Sequence, residues 1–198
     1  MKLLKALTCK ATWIPLGFVV LLSCFQSQGA NENRYVVSLY TGIQNLVTLG
    51  ENRNNLLKKK EIKYSEIKIP ETEEFKESGI SSGLNFLNLG VKIFFIENDA
   101  SLLILENPFS GTIQGKDLNI FDGKKPTEEK WPEFIIRRFG KPDLIRSSNS
   151  ALLGDVFFYN WGEIHLSNYG IRKFFIYRNT KIKKFRETSD LLPEVFTN

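Results

Sequence analysis

The sequence predicts an α+β fold, built as two similar helix-plus-antiparallel-meander modules packed together. Three observations predict it. Two stretches carry the residue chemistry of helix ends. Around them, short apolar runs alternate with turn residues at hairpin spacing. Two short segments of the first half are also echoed in the second, with Thr41-Gly42-Ile43 matched by Ser110-Gly111-Thr112-Ile113 and Gly90–Ile96 by Gly154–Tyr159.

The first helix is expected from Asn52 to about Ile62, where Lys58, Lys59 and Lys60 suit the negative end of the helix dipole. Ser65 to Ile69 alternates, with Ile67 and Ile69 apolar, and reads as a strand; Pro70 to Glu77 reads as an acidic loop. Lys92–Glu97 and Leu102–Leu105 form a hairpin around Asn98-Asp99-Ala100-Ser101. The second helix is expected from Thr127 to Phe139. Thr127 suits the N-cap, Glu128 and Glu129 the first turn, Arg137 and Arg138 the last, and Gly140 and Pro142 the stop. Pro132 is tolerated only near the start of that helix. Asp155–Asn160, Glu163–Ser167 and Ile171–Arg178 complete a meander, with turns at Trp161-Gly162 and Asn168-Tyr169-Gly170. Helices followed by runs of strands argue against alternating βαβ units.

The chain has 198 residues, 42% hydrophobic and 25% charged, which is ordinary for a folded globular protein and excludes disorder, collagen and coiled coil. Sixteen phenylalanines supply material for a substantial core. The formal charge is +5, but Lys2, Lys5 and Lys10 precede the first long apolar run. Without them 24 cations face 22 acids, a net +2. That is too little for a nucleic-acid footprint.

Residues 1–10 are short and cationic, and residues 11–22 carry no charge. This is the pattern of a secretory signal peptide, and twelve residues are too few to span a bilayer, which takes about 20. Leu21-Leu22-Ser23-Cys24 resembles the lipobox of bacterial lipoproteins, over about the first 24 residues. The resemblance implies cleavage before Cys24 and acylation of that cysteine, and Leu22 is a looser residue than the usual small one. The cysteine count agrees, since only Cys9 and Cys24 occur and Cys9 would be discarded, so the mature chain forms no internal disulfide. The competing reading is ordinary cleavage after Ala30, releasing a soluble protein. The expected organisation is a signal peptide at 1–23, the lipidated cysteine and a polar tether at 24–34, a first module at 35–109, a second at 110–186 and a tail at 187–198. The second half also looks like the helix-plus-meander modules of envelope lipoproteins such as the BamE-like class, a likeness of pattern that carries no functional residue. Lys outnumbers Arg, and Ile, Phe and Asn are frequent. With the loose lipobox, the chain looks like a spirochaetal, leptospiral-type surface lipoprotein.

Candidate chemistry is sparse. His165 is the only histidine and alternates with Ile164 and Leu166, so it is expected on the polar face of a strand. Metal sites built from His and Cys clusters fail on count, and no cofactor motif appears. Ser65-Glu-Ile-Lys68 matches a Ser-x-x-Lys pattern, but the Ser-Asp-Asn and Lys-Thr-Gly elements that go with it in penicillin-recognising enzymes are missing. Arg178 to Arg186 holds five cations in nine residues. It reads either as a Lys-protected edge strand or as a patch for an acidic partner, with Lys181, Lys183, Lys184 and Arg186 in contact. The aromatic strands around Phe157, Tyr159 and Trp161 read either as core of a sheet covered on both faces or as an aromatic binding face.

The resemblance to spirochaetal-type surface lipoproteins implies an outer-membrane lipid anchor, surface exposure and binding of host plasma or matrix proteins such as complement regulators, and the sparse chemistry makes a non-enzymatic role the expectation. The alternative is a periplasm-facing assembly or structural lipoprotein. No nucleic acid, metal or cofactor is expected.

Overall fold

The computed structural model describes residues 35–59, 62–115, 121, 130–147, 154–167 and 169–188. The lipobox, Cys24 and the tether lie outside the described residues, as do Thr127 and the 189–198 part of the tail. In chain order the elements are β1 (Tyr35–Ser38), β2 (Gly42–Ile43), β3 (Val47–Thr48), α1 (Arg53–Leu57), β4 (Ser65–Ile67), α2 (Glu73–Ser78), β5 (Ile80–Phe86), β6 (Val91–Ile96), β7 (Asp99–Glu106), β8 (Gly111–Ile113), α3 (Trp131–Phe139), β9 (Leu144–Arg146), β10 (Val156–Tyr159), β11 (Gly162–Ser167), β12 (Gly170–Tyr177) and α4 (Thr180–Thr188).

An eight-stranded sheet runs β4-β5-β6-β7-β12-β11-β10-β9, with every neighbouring pair antiparallel. A smaller sheet runs β3-β2-β1-β8, in which β1 and β8 are parallel. The expected α+β modules are corrected here: the described chain is mainly β, and its longest helices have nine residues. The reason lies in β7 and β12. Each is eight residues long and buried on both faces, so each needs a hydrogen-bonded neighbour on both edges. They supply that neighbour to each other, pairing Glu106 with Lys173 through to Leu102 with Tyr177. Strands from both sides of residues 109 and 110 thus share one sheet, and β1 and β8 share the other.

Alternation divides the large sheet into two faces. Ile93, Leu103, Phe174, Ile176, Ile164 and Phe157 point to one face, where they pack with Val37, Ile43 and Ile113 of the small sheet, Leu56 of α1, and Trp131, Phe134 and Ile135 of α3. Phe94, Leu102, Ile104, Phe175 and Tyr177 point to the other, under Phe75 of α2 and Ile182 and Phe185 of α4.

Several boundaries differ from expectation for local reasons. α1 stops at Leu57 because Leu56 is its only buried residue and Lys59 turns back to Glu51 and to the Leu46 carbonyl. The acidic stretch expected as a loop contains α2, which buries Phe75 and ends at Gly79 in the left-handed conformation (φ 75°). α3 starts at Trp131, placing Pro132 in its first turn where the missing N–H is harmless. Both echoed glycine-led runs become strands, β6 and β10, and both glycines are held by sterics: a Cβ on Gly90 (φ 64°) would strike the Glu106 carbonyl, and one on Gly154 the Leu166 carbonyl.

Candidate functional site

Of the two readings of the aromatic strands, core is the one the burial matches. Phe157, Tyr159 and Trp161 are all buried. The Tyr159 and Trp161 rings stack at 4.9 Å with 8° between planes, and Phe139 of α3 packs on both. The Tyr159 hydroxyl donates to the Gly140 carbonyl at 3.3 Å, and burial raises its pKa above the ordinary value. Phe157, Tyr159 and Trp161 thus present no ring to solvent.

The basic segment is neither an edge strand nor a uniform patch. It folds as α4 because Ile182, Phe185 and Arg186 fall at i, i+3 and i+4 and are buried together. Asn179 caps its start, accepting from the Lys181 N–H at 2.8 Å. Lys181 and Lys184 are exposed, while Lys183 pairs with Asp143 at 3.2 Å. Arg186 points inward, so it is corrected from surface cation to buried ion-pair partner.

That partner is Glu163, which has no exposed surface. Arg186 Nε donates to Glu163 Oε1 at 2.7 Å and Nη2 to Oε2 at 3.2 Å. His165 Nε2 lies 2.9 Å from the same Oε2. His165 is thus corrected too, from the surface of a strand to the interior. The imidazole stacks on Phe175 at 4.5 Å between ring centroids, and the Arg186 guanidinium sits 4.9 Å from that ring's centre. In the register row of His165, Lys173 lies opposite both His165 and Glu106. Glu106 pairs with Lys92 at 2.7 Å and Lys173 at 3.3 Å, and both lysines are buried.

The electrostatics follow from this geometry. Burial pushes the Glu163 carboxyl up, but Arg186 and His165 hold it down at about 2. Burial lowers His165, and the nearby Arg186 and Lys173 lower it further against the pull of Glu163. Burial likewise lowers Lys173 and raises Tyr177, whose hydroxyl has no hydrogen-bond partner among the described residues. Glu163 binds two side chains of its own protein through both oxygens, an arrangement suited to holding α4 on the sheet. Among the described residues no group of three or more His, Cys, Asp and Glu side chains is placed to hold a metal ion. Elsewhere a small apolar pocket between α1 and the end of β5 is lined by Leu46, Leu56, Tyr64 and Phe86, with Lys59 at its edge.

The signal that sequence reasoning missed was present. Ile182 and Phe185 stand three apart behind an Asn cap, a helical spacing, and a buried arginine needs a buried acid. Compared with protein-family models, curated proteins and solved structures, the chain shows no match.

Proposed function

We propose that this chain is a membrane-anchored lipoprotein whose β domain serves as a non-enzymatic binding module at the cell surface. Its partner is a soluble plasma or matrix protein with an acidic surface, such as a complement regulator. The observation that carries the reading is Cys24, the one cysteine left to a processed chain, standing at the end of an uncharged apolar run. Acylation there anchors a protein stably, because each buried CH₂ contributes about 0.8 kcal/mol and two or three chains add up. Support for binding comes from α4, whose Lys181 and Lys184 are exposed on a helix held by its own buried side.

The test has three arms. Cys24→Ala abolishes fatty-acid labelling and moves the protein out of the membrane fraction; continued labelling refutes the anchor. Protease treatment of intact cells removes the domain if it is surface-exposed, and its survival assigns it instead to a periplasm-facing structural role. In a panel of plasma and matrix proteins, Lys181→Ser with Lys184→Ser weakens capture at low salt more than at high salt, since surface charges are screened within about 8 Å at physiological ionic strength. Equal capture by the double variant at low salt removes α4 from the contact.

A further inference from the structure

His165 is the only histidine of the chain, and the fold places it inside the joint between the last described helix and the large sheet. Its Nε2 and the Arg186 Nη2 converge on one atom, Glu163 Oε2, at 2.9 and 3.2 Å. Both groups also pack on one ring, Phe175, at 4.5 and 4.9 Å. One carboxylate and one aromatic ring therefore serve an imidazole that belongs to the sheet and a guanidinium that belongs to α4.

We propose that α4 is an acid-responsive latch: a proton gained by His165 draws the shared Glu163 oxygen away from Arg186, repels the guanidinium, and loosens the helix from the sheet. The charged and titratable groups around the joint decide the direction. β11 contributes Glu163, β12 contributes Lys173 and Tyr177, and β7 and β6 contribute Glu106 and Lys92. Arg146 of β9 donates to the Glu187 carbonyl of α4, while Asp143 pairs with Lys183 and also acts on Tyr177, as does Glu187. Glu163 stays ionised down to about pH 2, so it does not change state in mild acid. His165 is held below its ordinary value, so the docked state binds the proton less well than a loosened one. By linkage, acid favours loosening, beginning as pH falls through about 6.5, the ordinary histidine value. The apolar ties, Ile182 and Phe185, do not titrate and set how far the latch must be pushed. Loosening uncovers the Phe75, Phe94, Ile104 and Phe175 face.

The experiment uses the full-length chain in detergent micelles, over a pH series from about 7.5 down to about 4. The single imidazole is followed by NMR and backbone amides by hydrogen exchange, corrected for intrinsic rates. The expected result is an imidazole midpoint below the ordinary value. α4 amides lose protection as pH falls from about 6.5, about tenfold for each unit by which His165 is depressed, while amides of β6, β7 and β12 stay better protected than those of α4 throughout. His165→Gln, which still donates to Glu163, holds α4 across the series. Unchanged α4 protection while the imidazole titrates overturns the latch, and so does α4 protection that equals that of the sheet at every pH. A pH response that survives in His165→Gln overturns it as well. Should that variant fail to fold, the wild-type data decide alone, because α4 protection that does not fall between about pH 6.5 and the imidazole midpoint overturns the proposal.

Discussion

Glu163 and Arg186 show why a buried charge is an all-or-none feature. With both present, each satisfies the other at 2.7 Å in a site closed to water. Replacing Glu163 by Gln strands a buried guanidinium, and such broken pairs cost about 3–5 kcal/mol. Urea unfolding of Glu163→Gln is expected to show that loss. Glu163→Leu combined with Arg186→Met is expected to recover most of it, because apolar replacement removes both desolvation penalties. A single variant as stable as wild type would mean the pair contributes nothing. The pH dependence has a definite sign. Glu163 is depressed from 4.5 to about 2, so its stabilisation is present above about 4.5 and fades as pH falls toward 2. His165 is also depressed, so the protein loses stability as pH falls through the ordinary histidine range. Urea midpoints measured from neutral pH downward are therefore expected to decline in two stages. A midpoint that rises just below neutral pH contradicts the His165 assignment, and one that rises as pH falls from about 4.5 contradicts the Glu163 assignment. Among apolar side chains, Trp161 stacks on Tyr159 in the main core, and Trp161→Ala is expected to cost about 3–5 kcal/mol in the same assay.

At the scale of elements, helix ends were readable where a cap residue stood beside an apolar spacing, and lost where charge masked it. α4 illustrates this. Its lysines suggested an exposed strand, while Asn179, Ile182 and Phe185 specified a helix. Asn179→Ala is expected to destabilise by about 1 kcal/mol through loss of the cap, measured as a lower thermal midpoint. The strands of the second meander fell within a residue or two of expectation, since Val156–Tyr159, Gly162–Ser167 and Gly170–Tyr177 are separated by turn residues. α2 was hidden because a single aromatic, Phe75, is its only buried apolar residue among the described side chains, and one apolar residue leaves no periodicity.

For the whole molecule the decisive contact is β7 on β12. It joins segments about seventy residues apart in sequence and turns two meanders into one sheet. Expressed separately, residues 35–109 and 110–188 are each expected to lack dispersed NMR spectra, because each exposes β7 or β12 as a long apolar edge and splits β1 from β8. A half that folds alone would show that the shared sheet is not required. The full domain is expected to unfold in one cooperative transition, its latch helix aside.

Local sequence specified half of the strands (β4, β6, β7, β10, β11 and β12), the body of α3, the glycines at the heads of β6 and β10, and the uncharged run ending at Cys24. These are local properties: alternation, turn chemistry, caps and charge all act within a few residues. Tertiary structure decided that the strands merge into one sheet, because edge pairing depends on which long strands lack a neighbour, and that is known only after collapse. It also decided the fate of Arg186, His165, Phe157, Tyr159 and Trp161. A residue's alternation says which face of a strand it occupies, whereas burial depends on what covers that face. On the His165 side it is α4 whose Ile182, Phe185 and Arg186 close over the sheet. On the Trp161 side it is α3 and the small sheet.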